Sequence, residues 1–181
     1  MFLKSTLLAL AACACVTAAQ ADSISTFTGD TTGAATFNRL LEDVSDQSAV
    51  GTDVHFHQFS FTVSATGSYT FLTTATFDSF IFLYGPTFDP SAPLTNAIGG
   101  NDDLFGTTTS GFAAEPMYAG TPYVLVTTGY ENSDYGKFST TIGGPGTVSA
   151  VPEPETYALM GLGLGVLAFA RRYAQSAKKS A

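Results

Sequence analysis

The sequence predicts an all-β fold, a single β-sandwich of about seven to eight strands with jelly-roll-like connections. An N-terminal signal helix and a C-terminal transmembrane-type helix flank it. Three observations carry this. The middle of the chain alternates apolar and polar residues with period two. Its composition favours strands and turns: of 181 residues 18 are Gly, 15 Phe and 8 Tyr, and only 12% are charged. The two strongly apolar stretches lie at the ends, outside the alternating text. One domain of about 120 residues fits between them, enough for a two-layer core.

Taken in order, residues 1–21 read as a signal peptide, with Lys4, an apolar run from Leu7 to Val16 and the small-x-small site Ala19-Gln20-Ala21. Leu10-Ala11-Ala12-Cys13 also fits a lipidation box, but the text stays apolar from Ala14 to Ala19, where a lipoprotein linker turns polar. Cys13 and Cys15 both fall inside this leader, so cleavage after Ala21 leaves no thiol for disulfides, thiolate chemistry or Cys-ligated zinc.

Residues 22–142 form the expected β-sandwich domain. Ile24–Thr28 and Ala35–Asn38 read as strands, and Arg39–Val44 as one helical turn. In His55–Val63 the odd positions share one face while Gln58, Ser60 and Thr62 share the other, the pattern of a half-buried strand. Ser64–Ser68 then reads as a turn and Tyr69–Thr74 as the hairpin partner of the preceding strand. Phe80–Tyr84 is denser and reads as a central strand covered on both faces, followed by a long loop, Gly85–Gly111. Tyr123–Thr128 and Phe138–Ile142 complete the set. Residues 143–150 read as a linker.

Charge excludes one class of partner. Residues 22–150 hold thirteen Asp and Glu against Arg39 and Lys137, a net charge of −11, which repels phosphate backbones and suits divalent cations or neutral polymers. Nucleic acid is therefore no partner.

The tail, 151–181, opens with Val151-Pro152-Glu153-Pro154-Glu155-Thr156. An uncharged apolar stretch, 157–170, follows from Tyr157, then Arg171-Arg172 and a basic end running to 179. The arginines place the C-terminus in the cytoplasm and the domain outside. As a helix the apolar stretch rises only about 21 Å, short of the roughly 30 Å hydrocarbon core, so it is a marginal span suited to a transient membrane intermediate. In this order, these parts resemble the PEP-CTERM sorting signal of Gram-negative bacteria. The resemblance implies that Pro152, Glu153 and Pro154 are read by an exosortase, a second processing partner beside the signal peptidase that the leader calls for. It also implies export through an inner-membrane intermediate to the cell surface or to extracellular polysaccharide. Alternating prolines keep such a motif extended, as a peptide in a processing groove must be.

The series Phe59-Ser60-Phe61-Thr62-Val63, Gly67-Ser68-Tyr69-Thr70-Phe71, Phe77 to Tyr84, Asn101-Asp102-Asp103, Ala119 to Val126 and Gly136-Lys137-Phe138-Ser139 resembles the bacterial pre-peptidase C-terminal domain. That resemblance implies an accessory β-sandwich for binding or secretion, not a catalyst, and some members bind calcium.

Calcium is the one cofactor the residues themselves offer. Asp78, Asp89, Asn101, Asp102 and Asp103 supply carboxylate and amide oxygens in and beside the long loop; the same residue types are also turn formers that bond their own backbone. His55 and His57, at i and i+2 on one strand face, have the geometry of a zinc pair without an identifiable third ligand. Tyr118, Tyr123, Tyr130 and Tyr135 offer rings for sugar stacking, but no Trp is present. No Gly-x-Ser-x-Gly occurs and no thiol remains, so the chain is expected not to be an enzyme. The reading that follows is an exported, non-enzymatic surface or matrix component. A calcium-dependent glycan- or protein-binding module is the alternative, and a hydrolase stands further off.

Overall fold

The computed structural model describes residues 22–152, 161–164 and 166. The expected signal helix lies outside the described residues, as do Glu153, Pro154, Tyr157, Arg171 and Arg172. Among the described residues no helix is long and apolar enough to cross a membrane.

Among the described residues ten strands form two antiparallel sheets: β1 Ser23–Asp30, β2 Thr36–Phe37, β3 Val54–Val63, β4 Gly67–Ala75, β5 Ser79–Tyr84, β6 Ala97–Asn101, β7 Thr109–Met117, β8 Tyr123–Gly129, β9 Lys137–Gly144 and β10 Val148–Ala150. One sheet runs β1-β9-β4-β7. The other runs β10-β3-β8-β5-β6, with β2 also pairing β3.

The alternation of the sequence becomes two packed layers. Phe61 and Val63 of β3, Ile81 and Leu83 of β5 and Leu125 of β8 face Tyr69 and Phe71 of β4, Met117 of β7 and Ile142 of β9, and these side chains fill the space between the sheets. Phe80, Phe82, Tyr84, Val124 and Val126 point the opposite way, where Phe37, Leu40, Val54 and Phe88 cover them in a second cluster. Every residue of β5 and β8 is accordingly buried. That double cover is what the dense run Phe80–Tyr84 predicts.

Four expectations change. β3 and β4 are not a hairpin: β3 pairs with β8 and β4 with β7 and β9, so Ser64–Thr66 is a corner between sheets. Arg39–Val44 is no helical turn. Leu40 bridges Gln47, Asp43 accepts the backbone N–H of Ser45 at 3.1 Å, and Val44 takes a positive φ of 52°; an Asx-type turn has displaced the helix. The expected loop 85–111 contains β6 and the start of β7. The expected linker is built into the sheets, since β9 runs through Gly144 and β10 pairs Val148 with Val63, Ser149 with Thr62 and Ala150 with Phe61.

Tyr69 explains why this last stretch is ordered. Its ring is fully buried and its hydroxyl donates to Ala65 O at 2.8 Å. A Cβ on Gly144 would strike that ring, and one on Gly146 would strike its hydroxyl; the glycines of the expected linker are thus the residues that let it lie flat on Tyr69. Ser64 Oγ accepts the Thr147 N–H at 2.9 Å and completes the clamp. Tyr69→Phe removes one buried hydrogen bond while keeping the ring. It should cost about 1 kcal/mol and lower the melting temperature by a few degrees in a calorimetric scan.

Candidate metal centre

Antiparallel pairing of β5 with β6, Ile81 opposite Asn101, brings the residue just before β5 beside the residues just after β6. Asp78 occupies the first position and Asp102 and Asp103 the second. Carboxylate oxygens of these three residues lie within 4.8 Å of one another. Asp78 and Asp102 are half-buried and Asp103 is exposed, so the group opens to solvent on one side. One oxygen of Asp78 and one of Asp102 are buried and meet no hydrogen-bond donor among the described residues.

Electrostatics follow from that geometry. Burial, and then the neighbouring charges of Asp103 and Asp78, push the Asp102 carboxyl up to about 6; Arg39 opposes the shift. Asp78 is raised as well, first by desolvation and then by Asp134, Asp103 and Glu131. Carboxylates that stay hard to ionise together and lack donors suit an oxygen-seeking divalent cation, which supplies the missing positive charge.

Arg39 is the cation whose charge acts on both Asp78 and Asp102, and its role is one the sequence does not announce. It is 3% exposed. Its Nε donates to Tyr130 O and its Nη1 to Leu40 O, both at 2.9 Å. The guanidinium carbon lies 4.6 Å from the Phe80 ring centroid and 4.7 Å from that of Tyr130, so the fork is sandwiched between two rings. Desolvation lowers its pKa, opposed chiefly by Asp102. The only trace of this in the sequence is one arginine in a region almost devoid of basic residues.

The other expected site residues fall elsewhere. Asn101 is spent on structure: its Oδ1 accepts the Gly111 N–H at 2.8 Å and its Nδ2 donates to Glu42 at 3.1 Å. Asp89 does not join the acidic group; it accepts the Ser91 N–H at 2.9 Å and hydroxyl at 2.7 Å, the local turn its residue type favours. His55 Nδ1 lies 2.6 Å from Ala34 O, and the rings of His55 and His57 pack edge-on against Tyr135 and Phe138. Neither histidine belongs to the acidic group. The four tyrosines form no platform, since Tyr123 is buried in the core and Tyr130 covers Arg39, while Tyr118 and Tyr135 are exposed.

Val151 and Pro152, the first residues of the sorting text, border a cavity of about 460 Å³ with Pro86, Phe88, Pro122 and Tyr123. The Val151 N–H still donates to Ser60 O at 2.8 Å, extending the β10 ladder by one bond. The motif therefore starts where the sheet ends, with no slack between them.

Comparison with known proteins agrees with the tail. Residues 150–172 match the PEP-CTERM protein-sorting motif. No curated protein matches the chain. Among solved structures it is similar to the pre-peptidase C-terminal domain of collagenase from Bacillus anthracis, with 15% identity over 65% of this chain and 87% of that one and a TM-score of 0.40. A structure of infectious bursal disease virus, Gx strain, gives 12% identity over 75% of this chain and 42% of that one, with a TM-score of 0.10. The motif marks the chain as exported cargo of exosortase sorting, directed to the cell surface.

Proposed function

We propose that this chain is a non-enzymatic component of the cell surface or of extracellular polysaccharide, stabilised after export by a calcium ion held on Asp78, Asp102 and Asp103. The observation that carries the cation is the convergence of three carboxylates within 4.8 Å, two of them with a buried oxygen that no donor among the described residues meets. An all-oxygen ligand set selects a hard cation, and calcium accepts the irregular geometry and completing waters that a half-open loop site provides. A non-catalytic role is supported by the histidines, the natural general bases, being packed against aromatic rings.

The tail acts first. Five residues, 152–156, separate the last sheet hydrogen bond at Val151 from the apolar stretch at Tyr157. Fully extended they reach about 17 Å, so during the membrane intermediate the β3–β10 edge sits close to the bilayer until the tail is processed. Mass spectrometry of the protein from membranes and from culture supernatant tests this step. Loss of residues beyond the motif is expected in the released form, and a C-terminus intact through Ala181 in every fraction would contradict it.

The cation is tested by thermal melting between chelator and millimolar calcium. Saturation a hundredfold above the dissociation constant adds about 2.7 kcal/mol, a rise of roughly 10 °C for a domain of this size. Asp102→Asn should abolish the rise and Asp89→Asn should leave it intact. A melting temperature indifferent to calcium would remove the ion from the proposal.

A further inference from the structure

Among the described residues the two sheets have four edges, and three are short, interrupted or partly covered. The free side of β3 is covered by β2 at one end and β10 at the other. β6 has five residues with a register irregularity opposite Leu83 and Tyr84. β7 carries Pro116 and a bulge opposite Tyr69 and Phe71, its Gly111 N–H is taken by Asn101, and its Thr109 O accepts the Leu104 N–H. These are the usual means of blocking an edge: short length, proline, bulge and side-chain cover.

β1 has none of them. It runs eight residues, Ser23–Asp30, paired along its whole length with β9 without a register shift. It contains no proline, lysine or arginine, and Ser23 to Gly29 carry no charge at all. Beyond the ladder with β9, the backbone of residues 23–29 finds no hydrogen-bond partner among the described residues. Ile24 on its outer face is 76% exposed.

We infer that the β1 edge pairs with β1 of a second copy of this chain, joining the two four-stranded sheets into one continuous antiparallel sheet about a two-fold axis. An open edge demands an extended backbone as its occupant, and an antiparallel two-fold pairing lets one chain supply both sides. Charge favours this place. The domain carries −11 over residues 22–150, which opposes contact between copies elsewhere, whereas this edge is uncharged from Ser23 to Gly29, between Asp22 and Asp30. Register follows from the same consideration. Centred on Thr26, the pairing would set Asp22 against Asp30 of the second copy. Centred on Phe27, it sets Thr26 against Thr28 and Ile24 against Asp30, and no two carboxylates face each other. The second register is the one inferred.

The experiment uses the full exported chain with Cys13 and Cys15 changed to Ser and one new cysteine, either Thr28→Cys on the edge or Ser91→Cys in the loop after β5. A short bismaleimide applied to cells should yield a dimer with Thr28→Cys and none with Ser91→Cys. Two proline variants in the Thr28→Cys background complete it. Adjacent strand residues aim their N–H groups to opposite sides, so of Ser25→Pro and Thr26→Pro one breaks the β9 ladder and the other meets only the bare edge. The edge-facing proline should keep the melting temperature and lose the dimer. No dimer, equal dimers at both cysteines, a cross-link only to a foreign protein, or a dimer surviving both prolines would each overturn the inference.

Discussion

Replacing Arg39 by alanine should lower folding stability by about 3–5 kcal/mol, the range for removing one charged partner from a buried polar group. The effect has three sources. Tyr130 O and Leu40 O lose the donors that meet them at 2.9 Å. The Phe80 and Tyr130 rings lose the guanidinium stacked between them, a contact of about 0.5–2 kcal/mol at a desolvated site. The third source is electrostatic: Asp102 and Asp78 lose a neutralising charge that presently opposes their mutual repulsion. For a domain of this size the drop in melting temperature is about 10–15 °C. Arg39→Lys should recover less than half, since an ammonium keeps the charge but offers neither the planar fork nor a face to stack on two rings. Calorimetry of both variants decides the point. An alanine variant melting within about 2 °C of the parent would show that the contacts of Arg39 with Tyr130, Leu40 and Phe80 contribute little to the fold.

Strands whose side chains alternate strongly, such as β3, or are apolar throughout, such as β5 and β8, are legible because burial is written directly into residue type. β6 and β7 are not. Gly99-Gly100 in β6 and Gly111, Ala113, Ala114 and Pro116 in β7 have poor strand propensity, and they become strands because β5 and β4 supply ladders for them. β10 is hidden for another reason. Its glycine- and proline-rich approach looks like a flexible linker, and only the buried Tyr69 ring, distant in sequence, turns those glycines into close-contact residues. The acidic site is half legible. Asp102 and Asp103 stand out as neighbours, and Asp78 as the residue before a strand. Which acids converge depends on the β5–β6 register, and Asp89 and Asn101 look equivalent to the others until their hydrogen bonds are known. The sorting motif is legible without any fold, because residue order alone carries the match over 150–172.

The pH dependence of stability should reverse sign when calcium is added. Without the ion, Asp102 in the folded protein titrates at about 6, above its ordinary value of 3.8, so the folded state holds its proton to higher pH than the unfolded chain does. Stability is then fully present below about pH 4 and is lost as pH rises through about 6, because the unfolded state releases its proton first. Asp78, raised in the same direction, adds to the slope. With the ion bound the order inverts. The carboxylates must be ionised to coordinate, so protons compete with calcium, and affinity falls about tenfold for each pH unit below about 6 while one proton is displaced. The melting temperature of the calcium-loaded protein should therefore climb across the same window in which that of the chelated protein declines, and the two curves should part most widely above pH 7. Asp102→Asn separates the contributions. It removes the repulsion, so the chelated protein should melt higher than the parent at pH 8, and it removes a ligand, so calcium should no longer raise it. A variant more stable without its ion and unresponsive to it is the signature of a residue kept for binding at the expense of the fold. If Asp102→Asn instead lowers the melting temperature of the chelated protein at pH 8, the carboxylate is structural, and the convergence of the three acids serves the fold and not a cation.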